Sequence, residues 1–282
     1  VTARKASSVP ERRWPLTAAD ASSPIITATG VVKTFGGLRA VDVERLEIRR
    51  NKITALIGPN GAGKTTFFNL LTGFDKVDSG VITLDGEDIT GTPPHRLAAK
   101  GMVRTFQLTK ALAKLSTIEN MKLGAMHQRG ERWWNALIPP LWRRQERAIE
   151  ERADALLRRF RMDHMRDEYA GTLSGGQRKL LEMARALMTE PRLVMLDEPM
   201  AGVNPALKQS LNDHIRSLRD DGMTVLFVEH DMDMVHDVSD WVIVMAEGAV
   251  IAEGTPEQIS SNPAVIEAYL GVHQGKAMTA DR

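Results

Sequence analysis

Gly58-Pro59-Asn60-Gly61-Ala62-Gly63-Lys64-Thr65 follows an apolar run and leads into Thr66 and FFNLL, a stretch with helical spacing. Small residues at this density let successive backbone N–H groups curl inward around a polyphosphate. A helix starting at Lys64 aims the positive end of its dipole at the same anion. Lys64 is long enough to reach β- and γ-phosphates, and Thr65 offers a hydroxyl to Mg²⁺. A second constellation is the apolar run Leu193–Leu196 closed by Asp197 and Glu198. Carboxylates at the C-terminal end of a buried strand stand where open α/β sheets bind ligands. The expected roles are metal holding through water for Asp197, and orientation or deprotonation of an attacking water for Glu198. A third is Leu173-Ser174-Gly175-Gly176-Gln177, in which Ser174 and the two glycine amides open a helix and create another anion-binding terminus.

These groups need a scaffold, and the hydrophobic pattern supplies one. From Ile25 to Leu56, β-rich runs separated by Gly-Gly and Arg-Asn breaks (IITATGVVKTF, LRAVDVERLEI, NKITALI) predict an antiparallel unit. VITLDGEDIT predicts a hairpin turning at Asp85-Gly86. Helical patterns cover 95–101 and 116–128, and an amphipathic helix spans about 145–161 with Ile149, Ala153, Leu156, Leu157 and Phe160 on one face. From 174 onward, helices alternate with strands that are apolar throughout (RLVMLDE, MTVLFVEH), which argues a parallel sheet covered on both faces. WVIVMAEGAVIAEG then reads as a closing hairpin, followed by a last helix in NPAVIEAYLG. Residues 1–24 read as a mobile basic arm and the stretch after Gly271 as a loose tail.

With LSGGQ beside the phosphate loop and the acidic strand end, the sequence resembles the ATP-binding-cassette (ABC) ATPases over roughly residues 25–271. The resemblance implies an α/β fold: a RecA-like parallel-sheet core, an antiparallel β subdomain and a helical signature subdomain at about 108–188. It implies ATP and Mg²⁺ as cofactors. Gln107, in Arg104-Thr105-Phe106-Gln107, takes the place of the glutamine that contacts metal and lytic water. His230 takes that of the switch histidine at the γ-phosphate, and Phe35 that of the aromatic stacked on adenine. The loop Met200-Ala201-Gly202-Val203-Asn204 carries Asn where the usual pattern has Asp, so its contact across a dimer loses a charge. In the family the LSGGQ segment, here Ser174, Gly175, Gly176 and Gln177, closes over ATP held by the loop of a second cassette. One loop and one signature per chain thus imply pairing with a copy or a sister ATPase.

Local strings narrow the branch. Thr34 to Val41, Asp88 to Arg96, Val103 to Gln107, the long insert before the signature and Asn262 to Gly271 look like the ATPases of branched-chain amino acid uptake systems. Members of that branch also serve urea and short amides. The lipopolysaccharide-export ATPases differ in usually having Leu-Pro-Gln where this chain has Thr-Phe-Gln. The branch implies two transmembrane permease subunits, an extracytoplasmic solute-binding protein and a place on the cytoplasmic face of the membrane.

Composition fits and excludes. With 37 Lys plus Arg against 36 Asp plus Glu, no broad electrostatic footprint for nucleic acid is expected. The absence of cysteine rules out disulfides, thiolate metal sites and thiol nucleophiles. No run of 18 apolar residues is present, and no secretory signal opens the chain. Translation-type ABC ATPases usually carry two cassettes and repair-type ones long coiled coils, and neither occurs; a P-loop GTPase would lack LSGGQ. His230 and His236, with Glu229, Asp231 and Asp233, do not meet the spacing of a metal site, and the remaining histidines read as surface residues. Trp133, Trp134 and Trp142 suit a membrane headgroup layer, a partner helix or packing within the helical subdomain.

Overall fold

A computed structural model of the chain describes residues 23–105, 112–125 and 139–277. Gln107, Trp133, Trp134 and the N-terminal arm up to residue 22 lie outside them. In chain order the elements that build the site are β1 (Pro24–Phe35), β2 (Leu38–Arg49), β3 (Ile53–Ile57), α1 (Lys64–Leu71), β4 (Ser79–Leu84), β5 (Glu87–Asp88), α2 (Pro94–Ala99) and β6 (Met102–Arg104). Then come α3 (Thr117–Lys122), α4 (Pro139–Arg159), α5 (Gly175–Leu187), β7 (Leu193–Asp197), α6 (Pro205–Asp220) and β8 (Thr224–Val228). The chain closes with α7 (Met232–Val238), β9 (Trp241–Ala246), β10 (Ala249–Gly254), α8 (Pro256–Ser260) and α9 (Pro263–Ala277).

Two sheets form. One is antiparallel, in the order β2-β1-β4-β5; the other has six strands in the order β10-β9-β3-β8-β7-β6. All neighbours in the larger sheet are parallel except the edge strand β10, which turns back on β9. The expected α/β class with a parallel core and an antiparallel unit is therefore observed. One assignment changes. The third β-rich run, ITALI, does not belong to the antiparallel unit but lies between β8 and β9 in the parallel sheet. Its five residues are all buried, whereas β1 and β2 mix buried with exposed positions as one-faced strands do. The predicted turn at Asp85-Gly86 is present, with both residues at positive φ (53° and 78°) joining β4 to β5.

The core divides along the faces of the parallel sheet. Val194, Leu196, Val225, Phe227, Val242 and Val244 pack with the helices α3 to α7 on one side. Their strand neighbours Met195, Leu226, Ile243 and Met245 pack with α1 and the antiparallel sheet on the other. Period-two side-chain alternation in strands that are apolar on both faces produces this two-sided core. Ala153 and Leu157 on α4, and Phe160 just past its end, are buried as expected, and the helix begins at Pro139, a residue suited to the first helical turn. His214 is the exception among the histidines taken as surface residues. It is buried and its ring stacks on Phe160, centroids 4.4 Å apart. The reason is helical period: position 214 falls between Leu211 and Leu218 on the inward face of α6.

Candidate functional site

Two glycines of the phosphate loop approach neighbouring backbone too closely to carry a side chain. Gly58 has φ 148° and a Cβ there would stand 2.0 Å from the Met245 carbonyl oxygen on β9. Gly63 has φ 91°, and its Cβ would meet the Ala40 carbonyl at 2.3 Å. Ala62 is buried; its N–H donates to Pro59 and its carbonyl accepts from Gly248. Gly58→Ala is expected to lower the unfolding free energy by at least about 2 kcal/mol, through overpacking and backbone strain combined. Urea titration of the purified variant measures it, and a stability equal to the parent's would contradict the close approach.

Gly63 caps α1 without a side-chain hydrogen bond, so no side chain competes for the N–H groups at this helix start. Lys64 Nζ donates to the carbonyls of Gly58 (2.7 Å) and Pro59 (2.9 Å), which places the ammonium in the curl of its own loop. Burial holds its pKa below the usual lysine range, partly offset by the negative charge of Glu198. Thr65 is exposed at the first turn of α1, with Thr66 half-buried behind it, and Asn60 and Gly61 are exposed at the loop's crest. The Ala40 carbonyl beside Gly63 also fixes where the β1–β2 hairpin lies. Phe35, at the end of β1, is 49% exposed and has Lys33 Nζ over its ring, 5.2 Å from the centroid.

Asp197 ends β7 and is 7% exposed; Glu198 follows with φ 45°, a left-handed conformation that costs a non-glycine residue energy. Its N–H donates to the Val228 carbonyl of β8 at 3.0 Å, so the acidic pair sits at adjacent parallel strand ends. The hard oxygens of Thr65 and Asp197 suit Mg²⁺, and among the described residues no cluster of three His, Asp or Glu could cage a metal alone. Such a sparse set fits an ion that takes one or two protein oxygens and completes its shell with water and substrate phosphate.

Ser174 caps α5, accepting from the Gln177 N–H (3.3 Å) while Gln177 Oε1 accepts the Ser174 N–H (2.8 Å). This capping box presents Ser174 and Gly175 to solvent. Gly176 is buried, since a Cβ would lie 2.5 Å from Leu207 Cδ1. His230 follows β8 and its side chain is 69% exposed.

Three residues whose roles the sequence left unread stand out here. Arg104, at the end of β6, donates to Asp197 Oδ2 at 2.6 Å and to Asn69 and Thr72 of the α1 end, with its guanidinium over the Phe68 and Phe74 rings. Lys179 of α5 donates to the carbonyls of Glu198 and Pro199. Glu229, noted from sequence only beside the two histidines, is buried to 1% and accepts the N–H groups of Met200 and His230. A lone cation in a short apolar strand was a signal for Arg104; the other two have none in the local sequence.

A phosphate loop between β3 and α1, an acidic pair at the end of β7 in the same sheet and a capped LSGGQ helix together define a nucleotide-binding cassette. The ABC transporter family model matches residues 41–201, and a second, for the branched-chain amino acid ATP-binding cassette transporter, matches residues 249–274. The chain belongs to the ABC transporter family. It is 44% identical over 252 residues to the high-affinity branched-chain amino acid transport ATP-binding protein BraF of Pseudomonas aeruginosa, covering 89% of this chain and 99% of that one. It is 42% identical to the probable branched-chain amino acid transport ATP-binding protein LivG of Archaeoglobus fulgidus, covering 89% and 97%. Among solved structures, the ADP conformation of MJ1267, an ATP-binding cassette of an ABC transporter, is 38% identical with a TM-score of 0.77 over 89% of this chain and all of that one. A nucleotide-free cassette from an ABC transporter is also 38% identical, with a TM-score of 0.76 over 87% of this chain and 98% of that one.

Proposed function

We propose that the chain is the ATP-binding and ATP-hydrolysing subunit of an importer, powering uptake of branched-chain amino acids or related small polar solutes. The observation that carries this reading is the division of labour along the chain. Glu198 is near enough to Lys64 to act on its charge and directly follows Asp197 at the end of β7, while Ser174 and Gly175 face solvent at a separate helix start. Two cassettes arranged head to tail complete each other: the signature helix of one covers the phosphates held by the loop of its partner. The partner is a second copy or a sister ATPase. The relatives' names, all of branched-chain amino acid transport, set the solute class.

In this reading each group has one task. Backbone N–H groups of the loop from Asn60 to Thr65, other than that of Ala62, and the Lys64 ammonium hold the β- and γ-phosphates, and Phe35 stacks on the base. Thr65 and Asp197, with Gln107 by the family pattern, would hold Mg²⁺, which would supply positive charge against the charge developing on the phosphates. Glu198 takes a proton from water as its oxygen attacks the γ-phosphorus in line; the bond to the bridging oxygen breaks and leaves ADP. His230, exposed at the end of β8, reports the γ-phosphate to the rest of the chain.

Motion then passes to membrane partners. Among the described residues no helix is long and apolar enough to cross a membrane. A groove of about 240 Å³ lined by Thr72, Phe74, Pro94, Leu97, Met102 and Arg104 receives a permease segment in this reading, with the cassette on the cytoplasmic face. No nucleic acid takes part. Purification of the chain from its own cells in mild detergent tests the assembly. Two multi-spanning permeases should accompany it, together with a solute-binding protein; bound ribosomes or nucleic acid would overturn the reading.

A further inference from the structure

The stretch Glu198-Pro199-Met200 is gripped from two sides by side chains of elements distant in sequence. From α5, the Lys179 ammonium donates to the Glu198 carbonyl at 2.8 Å and to the Pro199 carbonyl at 3.2 Å. From the end of β8, the Glu229 carboxylate accepts the Met200 N–H at 2.8 Å through Oε1, and the His230 N–H at 3.0 Å through Oε2. Three consecutive backbone groups are thus held by one cation and one anion. Both sit in a region poor in water: Glu229 is 1% exposed and Lys179 is half-buried among Glu182, Met183, Leu196 and Asp197. The residue they enclose, Glu198, is the one in this stretch with a left-handed backbone (φ 45°). Strain of this kind persists only where surrounding contacts over-determine the conformation.

We propose that Lys179 and Glu229 form a brace that fixes the Glu198 peptide, linking the signature helix on one side and the His230 loop on the other to the group that activates water. The inference rests on Glu198 being that group. Ser174 opens the same helix that carries Lys179, five residues further on, so displacement of the signature segment reaches the Glu198 carbonyl through one side chain. The Met200 N–H bond ties the loop after Glu198 to the backbone of His230 by a single carboxylate. Both are positioning residues, since neither is placed on the substrate.

Lys179→Met keeps the length and loses both hydrogen bonds; Lys179→Arg keeps a cation and its donors. In the purified chain, Lys179→Met is expected to lower kcat by about tenfold to a hundredfold, the usual effect of a small misplacement of a catalytic group, with KM and equilibrium ATP affinity within about threefold of the parent. Lys179→Arg should restore most of kcat, and Glu229→Gln should resemble Lys179→Met. Loss of kcat together with ATP affinity and thermal stability in all three variants would show a merely structural role and overturn the brace. So would Lys179→Met turning over at the parent rate while Glu198→Gln is inactive. Should Glu198→Gln itself turn over at the parent rate, the base assignment fails first and the brace with it. If Lys179→Met does not fold, the kcat and KM of Glu229→Gln and Lys179→Arg decide the matter by the same criteria.

Discussion

Glu198→Gln is expected to lower ATP turnover by about 10²- to 10⁴-fold, the span that a positioned base contributes, while ATP still binds. The carboxamide keeps the size and the backbone contacts of Glu198, whose N–H is fixed on Val228 and whose carbonyl is fixed by Lys179. What it removes is the ability to accept the water's proton. Phosphate release measures the loss, and equilibrium binding of a fluorescent ATP analogue measures the retained affinity. Because closure no longer ends in hydrolysis, the closed pair should accumulate: adding ATP should double the apparent mass on size exclusion if the chain pairs with itself, or trap the sister ATPase if it does not. Turnover at the parent rate would remove Glu198 from the base role. A variant that binds ATP yet never pairs with any cassette would contradict the head-to-tail arrangement.

Lys64→Ala acts at the other end of the reaction. The ammonium sits on the Gly58 and Pro59 carbonyls inside the loop, where burial makes its charge costly unless an anion arrives. Hydrogen bonds to charged partners contribute about 1.5–3 kcal/mol, so alanine should weaken ATP binding by about 10- to 150-fold. The effect should grow with the number of phosphates, from AMP to ADP to ATP. Isothermal titration with the three nucleotides checks it. Unchanged ATP affinity would mean that the backbone amides alone hold the phosphates. The two variants together separate binding from chemistry: one keeps affinity and loses rate, the other loses affinity.

How much of this was legible in the residues depends on how local each feature is. The phosphate loop, the capped LSGGQ helix and the acidic strand end are contiguous strings in which type and spacing carry the chemistry, and the structure gives each the element expected of it. The parallel sheet was legible because its strands are apolar on both faces. ITALI was misgrouped with its antiparallel neighbours because adjacency in sequence says nothing of which sheet a strand joins; its uninterrupted burial, unlike the alternation of β1 and β2, was the available sign. His214 shows the opposite failure, a polar residue on an apolar helical face judged by type instead of position. Arg104, Lys179 and Glu229 escaped for a physical reason. Their partners lie 93, 19 and 29 residues away, and such pairings exist only once the sheet order is set.

Buried ion pairs like Arg104–Asp197 are weak evidence for stability, since desolvation offsets much of the attraction. Their value here is orientation. With Oδ2 of Asp197 fixed by Arg104, the carboxylate cannot rotate freely, and Arg104 in turn is held by Asn69 and Thr72 at the end of the helix that begins at Lys64. The C-terminal end of α1, the acidic strand end and the groove are thereby joined through one guanidinium.

The central claim is that this chain converts ATP hydrolysis into solute uptake through partner subunits. Its most direct test is uptake of labelled leucine, isoleucine and valine into liposomes that carry the chain with its co-purified permeases and solute-binding protein. ATP-dependent accumulation of at least one of the three, abolished by Glu198→Gln, is the predicted result. Accumulation that is independent of ATP, or unchanged in the Glu198→Gln assembly, would contradict the account.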